Sequence, residues 1–401
     1  MRLALVLPLL APLAGATTYV VDVANGPGTD FTQISTAIAA VDPGDTLLVR
    51  PGVYAPFVLD KNLAIVGQGT DVDEVRAQGI HVVGLPTGTT TVLANIDQSG
   101  FSGFTILNNL GALLIDDSFT NSPVSVGGSY DVRLRRFEAS DGIQCTSSRV
   151  EVADSLVRGG VSSGGCLCCN WPNTPPAGPA GMFVSGGEVH LARTTVIGGK
   201  GGMITCADTG ICDGDGGPGG TGIQLVNGAR LVASGTSNHF VQGGPGGSTV
   251  CASGNTGVSG KALVHASGCE VRLSGISIVG AVEAGGTTIL PDPADPTLFA
   301  LGSPGAGSIF TLRVAGPVGS TVDVVLGRRP TLAPTPALDE EPLAPVHRVF
   351  PLGPMDASGT ISLNYPVPAS WPKGFSVVFQ SRLTLSDGTI RYTNSVPAIV
   401  P

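Results

Sequence analysis

The sequence is poor in charge, in long apolar runs and in helix-compatible stretches, and each shortage removes a class of protein. Only 13% of the 401 residues are charged, and 21 Lys plus Arg against 30 Asp plus Glu leave a net charge of −9. No basic field exists to hold nucleic acid or an anionic membrane surface, so neither is expected as a partner. After the first sixteen residues no segment offers ~20 uninterrupted apolar residues, so no membrane span is expected. No Cys or His set has zinc-ligand spacing. Helical bundles are excluded by what replaces the missing helix formers. Gly and Pro, 59 and 31 residues, make up about 22% of the chain, against an ordinary ~12%, and each internal Gly costs a helix ~1 kcal/mol and each Pro ~3.

What is present points to a folded, secreted, all-β chain. A hydrophobic fraction of 42% is ample to bury and argues against disorder. Residues 1–16 read as a secretory signal: Arg2, an apolar stretch from Leu3 to Leu13 interrupted by Pro8 and Pro12, and Ala14-Gly15-Ala16 as the cleavage pattern. The protein is therefore expected outside the cell or at its surface, where its eight cysteines meet oxidising conditions and pair. A single helix is expected from Asp30, with Asp30 as its cap and Gln33 reaching back, and with Phe31, Ile34, Ile38 and Val41 on one face. Asp42-Pro43-Gly44-Asp45 stops it.

From Thr46 the text repeats. Met182 to Leu191 leads to Thr195-Val196-Ile197-Gly198-Gly199, Ile223 to Val232 leads to Phe240 to Gly244, and Ala262 to Leu273 leads to Ile276 to Gly280. Ile143-Gln144-Cys145 through Gly160 gives a fourth copy. Each unit is three short strands joined by Gly or Ser corners, with a period of roughly 20 to 25 residues, the signature of a solenoid. A β-propeller requires ~40-residue blades, and no such period exists. About 180 residues supply roughly eight coils stacked ~4.8 Å apart. Corner glycines then supply positive φ, and Cys145 aligns with the core positions Val184 and Leu225.

Pro43 to Tyr54 followed by Lys61 to Gly69 resembles the opening coil of the right-handed parallel β-helix proteins of the pectin-lyase-like superfamily, and the preceding helix resembles their N-terminal cap. The resemblance covers roughly residues 28 to 285. It implies the fold and leaves the activity open, because the superfamily holds lyases, hydrolases, esterases, tail spikes and surface adhesins. The enzyme motifs are missing. There is neither the Asn-Thr-Asp nor the Gly-His-Gly run of polygalacturonases. Pro56 stands where a pectinesterase has Glu after Gly52-Val53-Tyr54, and neither the Asp-Phe-Ile-Phe-Gly string nor the Trp-Ile-Asp-His of pectate lyases occurs.

The organisation expected is a signal over 1–16, a β-helix over 17–288 with inserts at 159–181, 198–222 and 243–260, a linker over 289–307 and a small β-sandwich over 308–401. Its strands are expected at Ser308 to Val314, Thr321 to Leu326, Thr360 to Tyr365, Phe375 to Leu385 and Thr389 to Thr393, with Asp387-Gly388 as a tight turn. The Pro-rich stretch with Asp339-Glu340-Glu341 reads as a solvated loop.

Candidate site residues fall in two places. The inserts leave after the same strand of the repeat and should form a wall carrying Cys166, Cys168, Cys169, Cys206, Cys212 and Cys251, read as disulfide staples. Within them, Trp171 offers a face for a sugar ring or a pin for its loop. Asp208, Asp213 and Asp215 could hold Ca²⁺, although their spacing matches no Ca²⁺ repeat and equally suits a solvated turn. The second place is Asp116-Asp117 with Arg133, Arg135 and Arg136 one coil later. Alternation puts Arg133 and Arg135 on one face and Arg136 opposite, either a hold for an acidic sugar or a solvated face. His190, His239 and His265 read as incidental surface residues. Two functions remain: a non-catalytic structural, adhesive or glycan-binding module, favoured by the missing motifs, and a polysaccharide lyase or hydrolase with an atypical site.

Overall fold

The computed structural model describes residues 17–69, 74–100, 102–162, 175–203, 215–234, 238–249, 255–274, 276–285, 287–289, 296–301, 306–327, 346–371, 376–393 and 396–399. The expected signal, the six insert cysteines, Trp171, Asp208, Asp213 and the acidic stretch at 339–341 lie outside the described residues.

Residues 18–289 form one 25-stranded sheet in which every pairing is parallel and each strand away from the ends pairs with its equivalents one coil before and after. That is a β-helix with three faces. The first face runs from Phe57–Leu59 through Ile80–Val83, Phe104–Leu107, Val124–Gly127 and the start of Ile143–Ala153 to Val282–Ala284. The second stacks Thr46–Val49, Ala64–Gly67, Thr90–Ala94, Ala112–Thr120 and Val132–Ala139, and ends at Glu270–Ser274 and Thr287–Ile289. The third includes Leu156–Arg158, Thr195–Ile197, Phe240–Gln242 and Ser277–Val279. Period-two alternation sends every second residue inward. Val126, Cys145, Val184 and Leu225 stack in register, all essentially inaccessible, as the sequence alignment anticipated. Burial pushes the Cys145 thiol up to about 12, so it is packed as an apolar side chain. His265 continues this inward column. It is not a surface residue, and burial depresses its basicity.

Left-handed residues stack at two corners. Asn108, Gly128, Ser147, Gly186 and Asn227 turn the chain from the first face to the second. Asn95, Asp117, Arg136, Asp154 and Arg193 turn it at the far edge of the second. The usual cost of ~1–2 kcal/mol for a non-Gly left-handed residue is offset at the second corner by alternating charge. Arg193 grips Asp154 with two hydrogen bonds, and Arg136 lies 3.5 Å from Asp117.

The expected helix is shorter, Ile34–Ala40, and Asp30 does not cap it. The Asp30 carboxylate instead accepts the Val20 N–H, and Gln33 Oε1 accepts the Ala55 N–H, so both stitch the helix region to neighbouring strands. Tertiary hydrogen bonds outcompete the local capping box. Ile34, Ala37, Ile38 and Val41 are buried against the first coils.

The described parts of the inserts are not irregular. Their described arms, 159–162 and 175–181, 198–203 and 215–222, 243–249 and 255–261, lie side by side in two layers, outgoing and returning. The Gly216, Gly219 and Gly222 N–H groups donate to the carbonyls of Asn255, Val258 and Lys261, while those of Gly217 and Gly220 donate to Gly202 and Gly199. Gly244 and Gly247 donate in turn to Gly220 and Gly217. Hydrogen bonds that recur every third residue on each flank are the repeat of a polyproline II helix. The sequence carries this period in Gly198-Gly199-Lys200-Gly201-Gly202-Met203, Gly216-Gly217-Pro218-Gly219-Gly220-Thr221 and Gly243-Gly244-Pro245-Gly246-Gly247-Ser248. These glycines serve close approach rather than positive φ: a Cβ on Gly220 would lie 2.0 Å from the Pro179 carbonyl oxygen.

The C-terminal unit is two antiparallel sheets. One orders Thr297–Leu301, Ile309–Ala315 and Thr360–Pro366, and the other joins Val346–Pro354, Thr321–Gly327, Ser376–Thr384, Ile390–Tyr392 and Val396–Ile399. Phe310, Leu312, Val322, Val324 and Phe379 share its core, giving a sandwich. Strand Thr297–Leu301 falls inside the stretch read as linker, and Val346–Pro354 contains prolines that hid it in the sequence.

Candidate functional site

The carboxylate and arginine cluster is an internal ionic joint. Asp116 and Arg135 face each other in adjacent coils. The guanidinium closes a two-pronged grip on the carboxylate, Nε to Oδ1 at 2.9 Å and Nη2 to Oδ2 at 2.6 Å, and Arg136 Nη2 reaches the same Oδ2 at 2.9 Å. Arg136 is therefore not opposite. Its left-handed φ of 46° swings it back onto the carboxylate that strict alternation would deny it. Asp116, Arg133 and Arg135 are all buried, so the grouping is not a solvated face. Its donors are already engaged by protein carboxylates. Arg133 lies 3.4 Å from Asp131 and 3.5 Å from Glu151, and burial lowers its basicity while Glu151 opposes that. Of the pair Asp116 and Asp117 only Asp117 is largely exposed, its side chain at 55%.

These residues belong to a larger pattern that the sequence reading missed. On the outer side of the second face one register column reads Asp131, Arg149, Glu188, Arg230, Glu270, and its neighbour reads Arg133, Glu151, His190, Val232, Arg272. Charge mostly alternates in sign between coils and within each strand, so most of these charged side chains meet an opposite charge ~4.8 Å away. Glu188 Oε1 lies 2.9 Å from both His190 Nε2 and Arg230 Nη1, so His190 has a partner and is not incidental. Burial opposes ionisation of Glu188, but His190, Arg230 and Arg149 outweigh it and hold the carboxyl below the ordinary 4.5. A carboxyl depressed in the fold contributes stability that is complete above its unfolded value and lost as pH falls through the folded one. Urea midpoints are expected to drop as pH is lowered below 4.5, with a shallower drop in Glu188→Gln. Parallel pH profiles for the two proteins would contradict this.

The outer side of the first face is the opposite in character. Its outward column reads Thr105, Ser125, Gln144, Phe183, Gln224, Val264, and the next reads Leu107, Gly127, Thr146, Ser185, Val226. Between His81 near one end of the first column and Glu283 at the other, no residue in either column is charged. Gln144 and Thr146 are exposed, and Phe183, Ser185 and Gln224 are half-buried. Phe183 thus presents a ring between two primary amides, one coil to each side. The returning insert arms run directly into these strands, 175–181 into Met182–Ala192, 215–222 into Ile223–Val226 and 255–261 toward Leu263–His265, so the bundle borders the strip. Single-residue reasoning missed it because Gln and Ser at spacings of 19 to 41 residues are unremarkable until the coils are in register.

Of the Ca²⁺ candidates only Asp215 is described, and its Oδ1 accepts the Asn255 N–H at 2.7 Å. Among the described residues no three His, Cys, Asp or Glu side chains form a metal-ligand group, and no helix is long and apolar enough to cross a membrane. Cys145 and Cys269 are buried free thiols. No protein-family model matches the chain, and no curated protein is similar to it.

Proposed function

We propose that this protein is a secreted or cell-surface β-helix module, akin to the non-catalytic members of the pectin-lyase-like superfamily, that binds glycan through the strip centred on Phe183. The observation that carries this reading is the uncharged strip itself. In a chain with few aromatics, one ring stands on a flat face between Gln144 and Gln224 with Ser125, Thr146 and Ser185 around it. A ring face for the apolar side of a sugar and amide and hydroxyl groups for its hydroxyls is the composition of a carbohydrate site. The polar groups of Asp116, Arg133 and Arg135 are occupied internally, which favours binding over catalysis. The bundle beside the strip serves as a rigid wall, with the six cysteines of the inserts as its disulfide staples and the sandwich as an attachment module.

Glycan-array binding should be seen for neutral polysaccharides and should weaken about tenfold or more in Phe183→Ala, with smaller losses in Gln144→Ala and Gln224→Ala and an unchanged melting temperature. Release of reducing ends or unsaturated products from acidic polysaccharides, abolished by Asp117→Ala in a protein of unchanged stability, would establish a lyase or hydrolase instead.

A further inference from the structure

The two ends of the solenoid are finished differently. At the N-terminal end, helix Ile34–Ala40 lies over the first coils with Ile34 and Ala37 fully inaccessible, and Tyr19 packs edge-on to Phe31. At the C-terminal end the inward columns come into the open. On the first face Met182, Ile223 and Leu263 are at most 1% exposed, and the next residue inward, Val282, is 48% exposed. Ala284, below the buried His265, is exposed too, and Leu273, Ile276 and Ile278 are only partly covered. Strands Ser277–Val279, Val282–Ala284 and Thr287–Ile289 each pair with the preceding coil alone among the described residues. Edge strands are ordinarily protected by charge, proline or a bulge. From Ser277 to Ala284 there is no proline and one charged residue, Glu283.

We propose that this end docks onto the same end of a second copy of the chain, forming a tail-to-tail dimer. Among the described residues, three strand edges with no following coil stand on three sides of an apolar centre. A single extended peptide satisfies one such edge, whereas another open coil offers all three together with an apolar centre of its own. The N-terminal end cannot be that partner because its helix covers the equivalent surface. The contact is therefore isologous and closes at two copies rather than propagating into a filament.

Light scattering on the full chain over about a hundredfold range of concentration should show a monomer–dimer equilibrium. Hydrogen exchange should show the amides of 277–289 gaining protection as concentration rises. Val282→Lys and Ala284→Arg place a charge in the contact and should each weaken association about tenfold or more, without lowering the melting temperature measured at concentrations where the chain is monomeric. A monomer at every concentration, a dimer that both variants leave intact, or protection of 277–289 independent of concentration would each overturn the proposal, the last by placing the chain's own residues over the end.

Discussion

Gly220→Ala is expected to take apart the insert bundle while leaving the coils stacked. The new methyl carbon would lie 2.0 Å from the Pro179 carbonyl oxygen and 2.6 Å from that of Gly178. Both are backbone atoms, so no rotamer change relieves the clash and an arm must move away. Gly220 donates to Gly199 and accepts from Gly244, and the same arm donates through Gly217 to Gly202 and accepts from Gly178 at Pro218. Losing several such bonds, each worth about 1 kcal/mol net, on top of overpacking of ~1–3 kcal/mol, gives a destabilisation of about 3 kcal/mol or more. Gly268→Ala is the matched control. It has φ +80 and nothing within 4 Å of the added carbon, so it carries only the left-handed cost of ~1–2 kcal/mol. Calorimetry measures the difference, and hydrogen exchange locates it at the amides of Gly199, Gly217, Gly244 and Gly247. Equal effects of the two substitutions would remove the close-packing account of the bundle.

Asp116→Ala should destabilise the coils by about 3–5 kcal/mol, because it leaves the buried Arg135 guanidinium without its two-pronged partner and removes the anchor of Arg136. Replacing the pair by Leu and Met should restore much of the loss, since an apolar pair of similar volume avoids burying charge altogether. Asp117→Ala is expected to cost less than ~1 kcal/mol, its carboxylate being largely exposed and 3.5 Å from Arg136. Urea unfolding of the three variants checks the order. A mild Asp116→Ala would mean that the joint is not buried in solution. The comparison also decides how enzymatic tests are read, because a loss of turnover in Asp116→Ala follows from unfolding whereas a loss in Asp117→Ala does not.

Much of the architecture was legible because a solenoid repeats its chemistry. Val184 and Leu225 align with Cys145 in the text and stack in the fold, since successive coils share one interior and must fill it alike. The helix boundary was not legible. The Asp30 and Gln33 pattern is a valid cap, but strands distant in sequence offered their N–H groups first. The strand at Thr297–Leu301 was hidden among prolines for the same reason that tertiary pairing overrides local preference. The candidate site divides in the same way. The sequence brought Asp116, Arg133 and Arg135 to neighbouring coils. It left open whether they held a substrate, and only register and burial revealed carboxylates and guanidinium groups engaging one another.

Sequence alone determined that this chain is all-β, that it is built of stacked three-strand units, and that its glycines concentrate in three inserts on one side. Composition and period suffice for that, because they set what each unit can bury and where it can turn. The tertiary structure decided the rest. A Gly-Gly-x text is compatible with a flexible loop until six arms lie within hydrogen-bonding distance, and only then does the missing side chain become a requirement of packing. Charged and uncharged columns are likewise invisible along the chain. Residues one coil apart are about 20 to 40 positions apart in sequence, and only the register of the sheet sets one face as an alternating lattice of ions and the next as an uncharged strip around Phe183.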